Sequence, residues 1–204
     1  MKLPILTPCH DGMYSGNYIT SLYATAAAGL SSAWINSMYD SSIVRHRSKL
    51  AAYALKELPD AEAFLWIDAD MGWTVADIRR ISSLPPSLDV VGGVYVKKTD
   101  VPVTPVYRQD GDAGVEWASD RNVISVSRIG FGFVRMSRVA MQHAVDTGEK
   151  TSGGWTVAFP EGLVNGEWET EDYNFCHRQQ QAGRTIWMDR SIRLTHRGAK
   201  EYRA

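Results

Sequence analysis

Ala63-Phe64-Leu65-Trp66-Ile67-Asp68-Ala69-Asp70 decides the reading of this chain. Five uninterrupted apolar residues are what a strand buried on both faces of a sheet looks like, and the run ends abruptly in two carboxylates. Open α/β sheets bind their ligands at the carboxyl ends of strands. Residues two apart share a side in extended geometry, so Asp68 and Asp70 can address one cation or one ligand. A solvated Asp-rich turn is the plain alternative.

Outward from this run, apolar segments alternate with helix-like stretches through the first half, the pattern of βα units on a mainly parallel sheet. Leu3 to Thr7 reads as the first strand, followed by the loop Pro8-Cys9-His10-Asp11-Gly12 and a helix from Tyr18 to Leu30. Ser41 or Ser42 caps a second helix reaching about Leu58, where Pro59-Asp60 stops it. Thr74 and Asp77 form a capping-box variant opening a helix to about Ser83, and Leu88 to Val96 returns as a strand. The second half changes character. Short strand-like pieces between Val101 and Val126 flank a turn at 110–114, and Gly130-Phe131-Gly132-Phe133 reads as a strand. Ser137 caps a helix to Asp146, Gly148 to Gly154 is a polar, Gly-rich loop suited to a mobile lid, and a last helix from Glu171 to Ala182 ends at Gly183.

With 44% hydrophobic and 22% charged residues the chain has material for a core and is not of the disordered class. Its 204 residues suit one compact domain. Lys plus Arg number 22 against 23 Asp plus Glu, a net charge of −1, which gives no ground for an overall electrostatic attraction to nucleic acid or membrane. The stretch from Arg178 to Ala204 departs from this balance, with seven basic residues against two acidic. That cluster is a solvated face, a clamp on a diphosphate or a track for an anionic acceptor. Cys9 and Cys176 follow no metal or disulfide spacing. No apolar run approaches the ~20 residues that span a bilayer, and the first residues lack a signal-peptide core. A cytoplasmic location is expected, the host cytoplasm if the source is viral.

The strand ending in Asp68-Ala69-Asp70 is followed by Val90-Val91-Gly92-Gly93, Ile129-Gly130-Phe131-Gly132-Phe133, Glu171-Asp172-Tyr173-Asn174 and Leu194-Thr195-His196-Arg197-Gly198, with Ser42-Ile43-Val44-Arg45-His46-Arg47 before it. In this order the motifs resemble those of GT-A fold glycosyltransferases, in particular the small ones of phages and viruses, over most of the chain. The resemblance implies a single GT-A-like domain: a Rossmann-like, mainly parallel sheet flanked by helices, with a nucleotide-binding half (1–98) and a smaller α+β acceptor half (99–204).

It also implies a metal-dependent transfer of sugar from a nucleotide diphosphate, a UDP-sugar foremost, to an acceptor hydroxyl with inversion. Asp70 and His196 would ligate Mn²⁺ or Mg²⁺, and Asp68 would hold the ribose or a metal-bound water. An oxygen-plus-imidazole set suits such ions, with imidazole favouring Mn²⁺. Asp172 would be the general base and Glu171 would contact donor or acceptor; acids complementing a helix dipole are the plain alternative. Pro8, His10, Asp11 and Arg45 would meet the nucleotide, Lys97 and Arg197 would flank it, and Gly130 and Gly132 would let backbone approach the sugar.

Trp117, Trp155 and Trp168 fall in the acceptor half, as sugar platforms or as core. A glycan or a hydroxylated DNA base would be the acceptor, no membrane partner is expected, and a homo-oligomer could complete the acceptor site. Two other readings use the same residues: a nucleotidyltransferase, disfavoured by the absence of a Gly-rich, Arg-containing loop after the first strand, and a catalytically silent nucleotide- or sugar-binding protein.

Overall fold

The computed structural model describes residues 2–98, 106–107, 118, 120–198 and 201–203, the side chains of 106–107 and 201–203 excepted. In chain order the elements are β1 (Leu3–Cys9), α1 (Gly16–Ala27), β2 (Ser31–Met38), α2 (Ile43–Glu57), β3 (Ala63–Ile67), β4 (Met71–Gly72), α3 (Val75–Ser83) and β5 (Val90–Val94). There follow β6 (Val106–Tyr107), β7 (Val123–Val126), β8 (Arg128–Ile129), β9 (Phe133–Ser137), α4 (Arg138–Asp146), β10 (Glu149–Lys150) and β11 (Thr156–Val157). The chain closes with β12 (Gly162–Val164), β13 (Glu167–Glu169), α5 (Glu171–Gln181), β14 (Ile186–Arg193), β15 (Thr195–Arg197) and β16 (Glu201–Arg203).

Seven strands form one sheet in the order β2-β1-β3-β9-β5-β14-β7. Five of them run the same way, and β9 and β7 oppose them. The sheet is therefore mainly parallel and Rossmann-like, and strands from both halves of the sequence interleave in it. β3 is buried along its whole length, and its alternation divides the core: Phe64 and Trp66 enter a cluster with residues of α2, α4 and α5, while Leu65 and Ile67 enter one with residues of α1 and α3. Two apolar layers on opposite faces explain why the run carries no polar alternation.

The helix starts follow local chemistry. Ser42, Thr74 and Ser137 accept from the backbone N–H three residues on, and Asp77 returns the bond to Thr74. Three expectations need correction. Gly130–Gly132 is a turn, not a strand, because the Gly132 carbonyl accepts from the Asp68 N–H at 3.1 Å and its N–H donates to the Tyr95 hydroxyl at 3.1 Å. The 148–154 segment is no open loop: β10 pairs with β11, and Thr151 and Trp155 close the hairpin. The first helix starts earlier, at Gly16, because Ser15 caps it. The 110–114 turn and Trp117 lie outside the described residues.

Candidate active site

The Asp68–Asp70 turn follows β3, and four backbone bonds fix it. Asp68 is tied to Gly132 as above, the Asp68 carbonyl accepts from Met71 N–H at 3.1 Å, Ala69 from Ser15 at 2.9 Å and Asp70 from Arg197 at 2.8 Å. The chain then enters β4, which pairs antiparallel with β15 so that Met71 lies opposite His196 and Gly72 opposite Thr195. A Cβ on Gly72 would fall 2.4 Å from Thr195 Oγ1 and 2.9 Å from Asn17 Cβ, so only glycine permits this approach. This two-residue ladder brings His196 to Asp70.

His196 Nδ1 lies 2.9 Å from the Val96 carbonyl, and since a carbonyl only accepts, that nitrogen carries the proton. Nε2 is turned toward Asp70 Oδ1 at 3.5 Å. The ring stands edge-on to Tyr95, with centroids 5.3 Å apart. Asp70 Oδ1 is buried and has no hydrogen-bond partner, while Oδ2 meets Lys98 Nζ. Burial alone would raise the Asp70 pKa; His196 and Lys98 more than offset it, so the group titrates below the usual carboxylate range.

An orphaned carboxylate oxygen facing an imidazole nitrogen with its other nitrogen committed is a donor pair that fits a divalent cation. Among the described residues there is no group of three or more His, Cys, Asp or Glu placed to hold a metal. Two protein ligands are nevertheless a common complement where substrate phosphates and water supply the rest.

Behind this pair sits Arg47, on the buried face of α2 and only 3% exposed. Its Nη2 donates to both oxygens of Asp68, at 2.9 and 3.2 Å, and its Nε to Glu171 Oε1 at 3.2 Å. The guanidinium lies 5.5 Å from the Phe131 ring centre and 5.9 Å from that of Trp66. Burial drives the Asp68 pKa up to about 6, with Asp70 and Glu171 adding to the rise and Arg47 opposing it. Glu171 is itself buried at the start of α5. Asp172 is raised by burial and by Glu171; its Oδ1 accepts from Thr170 Oγ1 and from the Tyr173 N–H, the latter at 2.9 Å. Asp172 follows Glu171 in the first turn of α5, next to the residue that bonds Arg47.

In front lies a cleft of about 340 Å³, lined by Pro8, His10, Asp11, Asp40, His46, Asp68 and Asp70 among others. Three nucleotide candidates named from sequence thus share a wall with both aspartates. Within it, Asp11 Oδ1 accepts from the Met13 N–H at 2.9 Å, a local turn, and His10 Nδ1 lies 3.2 Å from the Asp40 carbonyl. Arg45 is engaged by Asp40 through two 2.5 Å bonds, which hold Asp40 down at about 2. His46 is buried in the cleft wall, and its Nε2 lacks a partner.

The remaining candidates scatter. Gly132 is required by the Tyr95 ring, whose Cζ would lie 2.8 Å from an added Cβ. Gly130 sits beside it in the same turn. Lys97 is half-buried, and it is Lys98 that reaches Asp70. Arg197 contributes its backbone N–H to Asp70, with its side chain exposed. Among the described side chains the basic cluster forms no single track. Arg178 binds the Ala144 and Ala158 carbonyls, Arg184 faces Asp89 and Arg190 binds the Arg121 carbonyl; Lys200 lies outside the described residues. Trp155 lies under Lys49, and Trp168 is 64% exposed on the β12–β13 hairpin.

Sequence reasoning assigned no role to Arg47, Lys98, Tyr95 or His46. Arg47 left one readable signal: it heads an apolar helical stripe with Leu50, Ala51 and Ala54, where an unpaired charge would be costly. Lys98 and Tyr95 meet their partners only through tertiary register.

No protein-family model and no curated protein sequence matches the chain. Solved structures do. The crystal structure of A197 from STIV matches with a TM-score of 0.64 at 16% identity, over 97% of this chain and 86% of that one. A glycosyltransferase involved in glycosylation of the major capsid of PBCV-1 matches at TM-score 0.39 and 12% identity, over 70% and 63% of the two chains. The inositol-1-phosphate CTP transferase from T. maritima matches at 0.48 and 8%, over 93% and 89%. The A197 match establishes a shared fold; the other two, under a TM-score of 0.5, add nothing to it. Among the described residues no helix is long and apolar enough to cross a membrane.

Proposed function

We propose that the chain is a metal-dependent, inverting glycosyltransferase that uses a nucleotide diphosphate sugar, a UDP-sugar foremost, and transfers the sugar to a hydroxyl of a glycan or of a hydroxylated DNA base. The observation that carries this reading is the buried, partnerless Asp70 Oδ1 turned toward His196 Nε2 at the edge of a cleft of nucleotide size. Asp70 and His196 would hold Mn²⁺ or Mg²⁺, whose chemistry there is to neutralise charge developing on a diphosphate leaving group.

The chain's own residues do the rest. Arg47 immobilises Asp68 at the cleft wall, where its carboxylate orients the ribose, and commits Glu171 to the same ion-pair network. Tyr95 and the Val96 carbonyl fix the His196 ring. Both hydrogen bonds of Asp172 fall on Oδ1, which leaves Oδ2 for the acceptor proton. A carboxylate with a raised pKa is a better proton acceptor at neutral pH than an ordinary one.

The test is thermal stability against a panel of nucleoside diphosphates with and without Mn²⁺, on the wild type, Asp70→Ala and His196→Ala. A diphosphate present at ~100 times its dissociation constant adds about 2.7 kcal/mol. The expected result is a metal-dependent shift with one diphosphate in the wild type alone. No shift with any diphosphate, or equal shifts in both variants, overturns the assignment.

A further inference from the structure

The β12–β13 hairpin runs straight into the first turn of α5, where Asp172 sits. Val164 pairs with Glu167, so Asn165 and Gly166 alone make the turn, with φ of +51° and +87°. An Asn-Gly turn with both φ values positive matches the twist of the paired strands, which makes the hairpin a stiff arm. Its two faces differ. On one, Glu169 is buried and accepts from Arg128 Nη1 at 2.9 Å, and the Arg128 guanidinium lies 4.8 Å from the ring centre of Tyr173 on α5. On the other, Leu163 lies directly opposite Trp168, and the two are 73% and 64% exposed. The buried face anchors the arm to α5, and the open face displays an indole and an isobutyl group side by side in water.

Position and charge say what covers this pair. Residues two apart in an extended chain share a side, so Thr170 follows Trp168 on the open face, about 7 Å along the strand. Thr170 is exposed, its backbone is extended, and its hydroxyl donates to Asp172 Oδ1. The indole thus stands beside the hydroxyl that holds the carboxylate proposed to take the acceptor proton, at close to the length of one sugar residue. From Thr151 to His177 the sequence carries Glu161, Glu167, Glu169, Glu171 and Asp172, and neither Lys nor Arg. Glu161 and Glu167 are exposed, and Arg128, which reaches this hairpin, is engaged by Glu169. A nucleic acid needs cations against its phosphates, and this flank offers carboxylates. A sugar fits both features: carboxylates accept from its hydroxyls, and the C–H face of a pyranose buries apolar surface against an indole.

We propose that the Trp168–Leu163 face of the hairpin binds the acceptor, and that the acceptor is an uncharged glycan whose sugar ring stacks on the Trp168 indole, rather than a hydroxylated DNA base. This choice rests on the transferase reading above and on the role of Asp172 within it. The stiff turn and the Glu169–Arg128 anchor hold the indole in place before the sugar arrives, so little ordering is lost on binding.

The experiment is titration of the full chain, without metal or nucleotide, with neutral disaccharides of glucose, galactose, mannose and N-acetylglucosamine, read from the NMR signal of the Trp168 indole N–H. A short DNA strand carrying hydroxymethylated cytosine and a peptide of lysines and serines are the competing probes. The variants are Trp168→Ala and Trp168→Phe, at a position exposed enough to leave the thermal midpoint in place. The expected result is that at least one disaccharide moves the indole signal, binds Trp168→Ala at least about tenfold more weakly and binds Trp168→Phe nearly as the wild type, while the DNA strand leaves the signal unmoved. Binding of no disaccharide overturns the proposal, as does binding that Trp168→Ala leaves unchanged, or a DNA strand or peptide that moves the signal where the sugars do not. The diphosphate panel separates this proposal from the reading it rests on. A diphosphate shift in a chain that binds no sugar overturns the glycan site alone, whereas sugar binding lost in Trp168→Ala with no diphosphate shift in the wild type overturns the transferase.

Discussion

Replacing Arg47 by methionine removes the cation between Asp68 and Glu171 while keeping most of the volume between Trp66 and Phe131. Two partly desolvated carboxylates are left without their counter-charge. Removing one partner of a buried ion pair costs about 3–5 kcal/mol, and the low end applies because Asp68 keeps 31% side-chain exposure. In a chain of this size about 3 kcal/mol lowers the melting midpoint by roughly 6–12 °C. The loss depends on pH in a definite direction. Asp68 already titrates near 6, and without Arg47 its pKa rises further, so the folded variant binds a proton more tightly than the unfolded chain. Its stability is retained below the unfolded carboxylate value and lost as pH climbs through the folded one. Melting at pH 5 should therefore bring Arg47→Met closer to the wild type than melting at pH 8. The uncharged triple variant Arg47→Met, Asp68→Asn, Glu171→Gln should recover most of the loss. A midpoint within 2 °C of wild type for Arg47→Met at pH 8, or a triple variant as unstable as the single one, would refute the account of Arg47 as the hub of the site.

Three further outcomes are expected. Gly72→Ala forces β15 away from β4 and should cost about 1–3 kcal/mol in urea unfolding, while abolishing the Mn²⁺-dependent shift with a diphosphate; retention of that shift would show that the ladder does not position His196. Lys98→Ala removes a positive charge from Asp70 Oδ2 at a half-exposed site, worth ~1 kcal/mol, so Mn²⁺ binding followed by calorimetry should tighten about fivefold; unchanged or weaker binding would argue that Lys98 assists the cation. Asp172→Asn should keep the ligand-induced stabilisation and slow turnover by about 10²–10⁴, and full turnover would remove Asp172 from the role of base.

What the sequence reveals here depends on whether a signal is local. The limits of β3, the caps at Ser42, Thr74 and Ser137 and the glycine stop at Gly183, where φ is +79°, all follow from neighbours within four residues. β2 escaped because Ser31–Met38 mixes serine, asparagine, alanine and tryptophan without alternation: at a sheet edge, half-burial imposes no strict pattern. Gly130–Gly132 reads as a strand yet turns, because it is held by Asp68 and Tyr95, which are remote in sequence. In the site, Asp68, Asp70 and the loop after β1 could be placed together because strand ends converge on one rim. The choice of Lys98 over Lys97, and the bonding of Glu171 to Arg47, depend on tertiary register that one sequence does not display.

The pairing of β4 with β15 separates the integrity of the fold from the readiness of its centre. Every strand of the main sheet is complete by Arg193, whereas His196 belongs to a different, three-stranded sheet that closes only when a late segment reaches back to Met71. A chain frayed after Leu194 would keep the main sheet, yet it would lose both the Arg197 N–H that holds the Asp70 carbonyl and the imidazole opposite the Asp70 side chain. During synthesis the main sheet can likewise form before Asp70 and His196 meet, so the assembly of that pair is a separate and later event. A nick in this segment would leave the seven-stranded sheet in place and undo the meeting of Asp70 with His196.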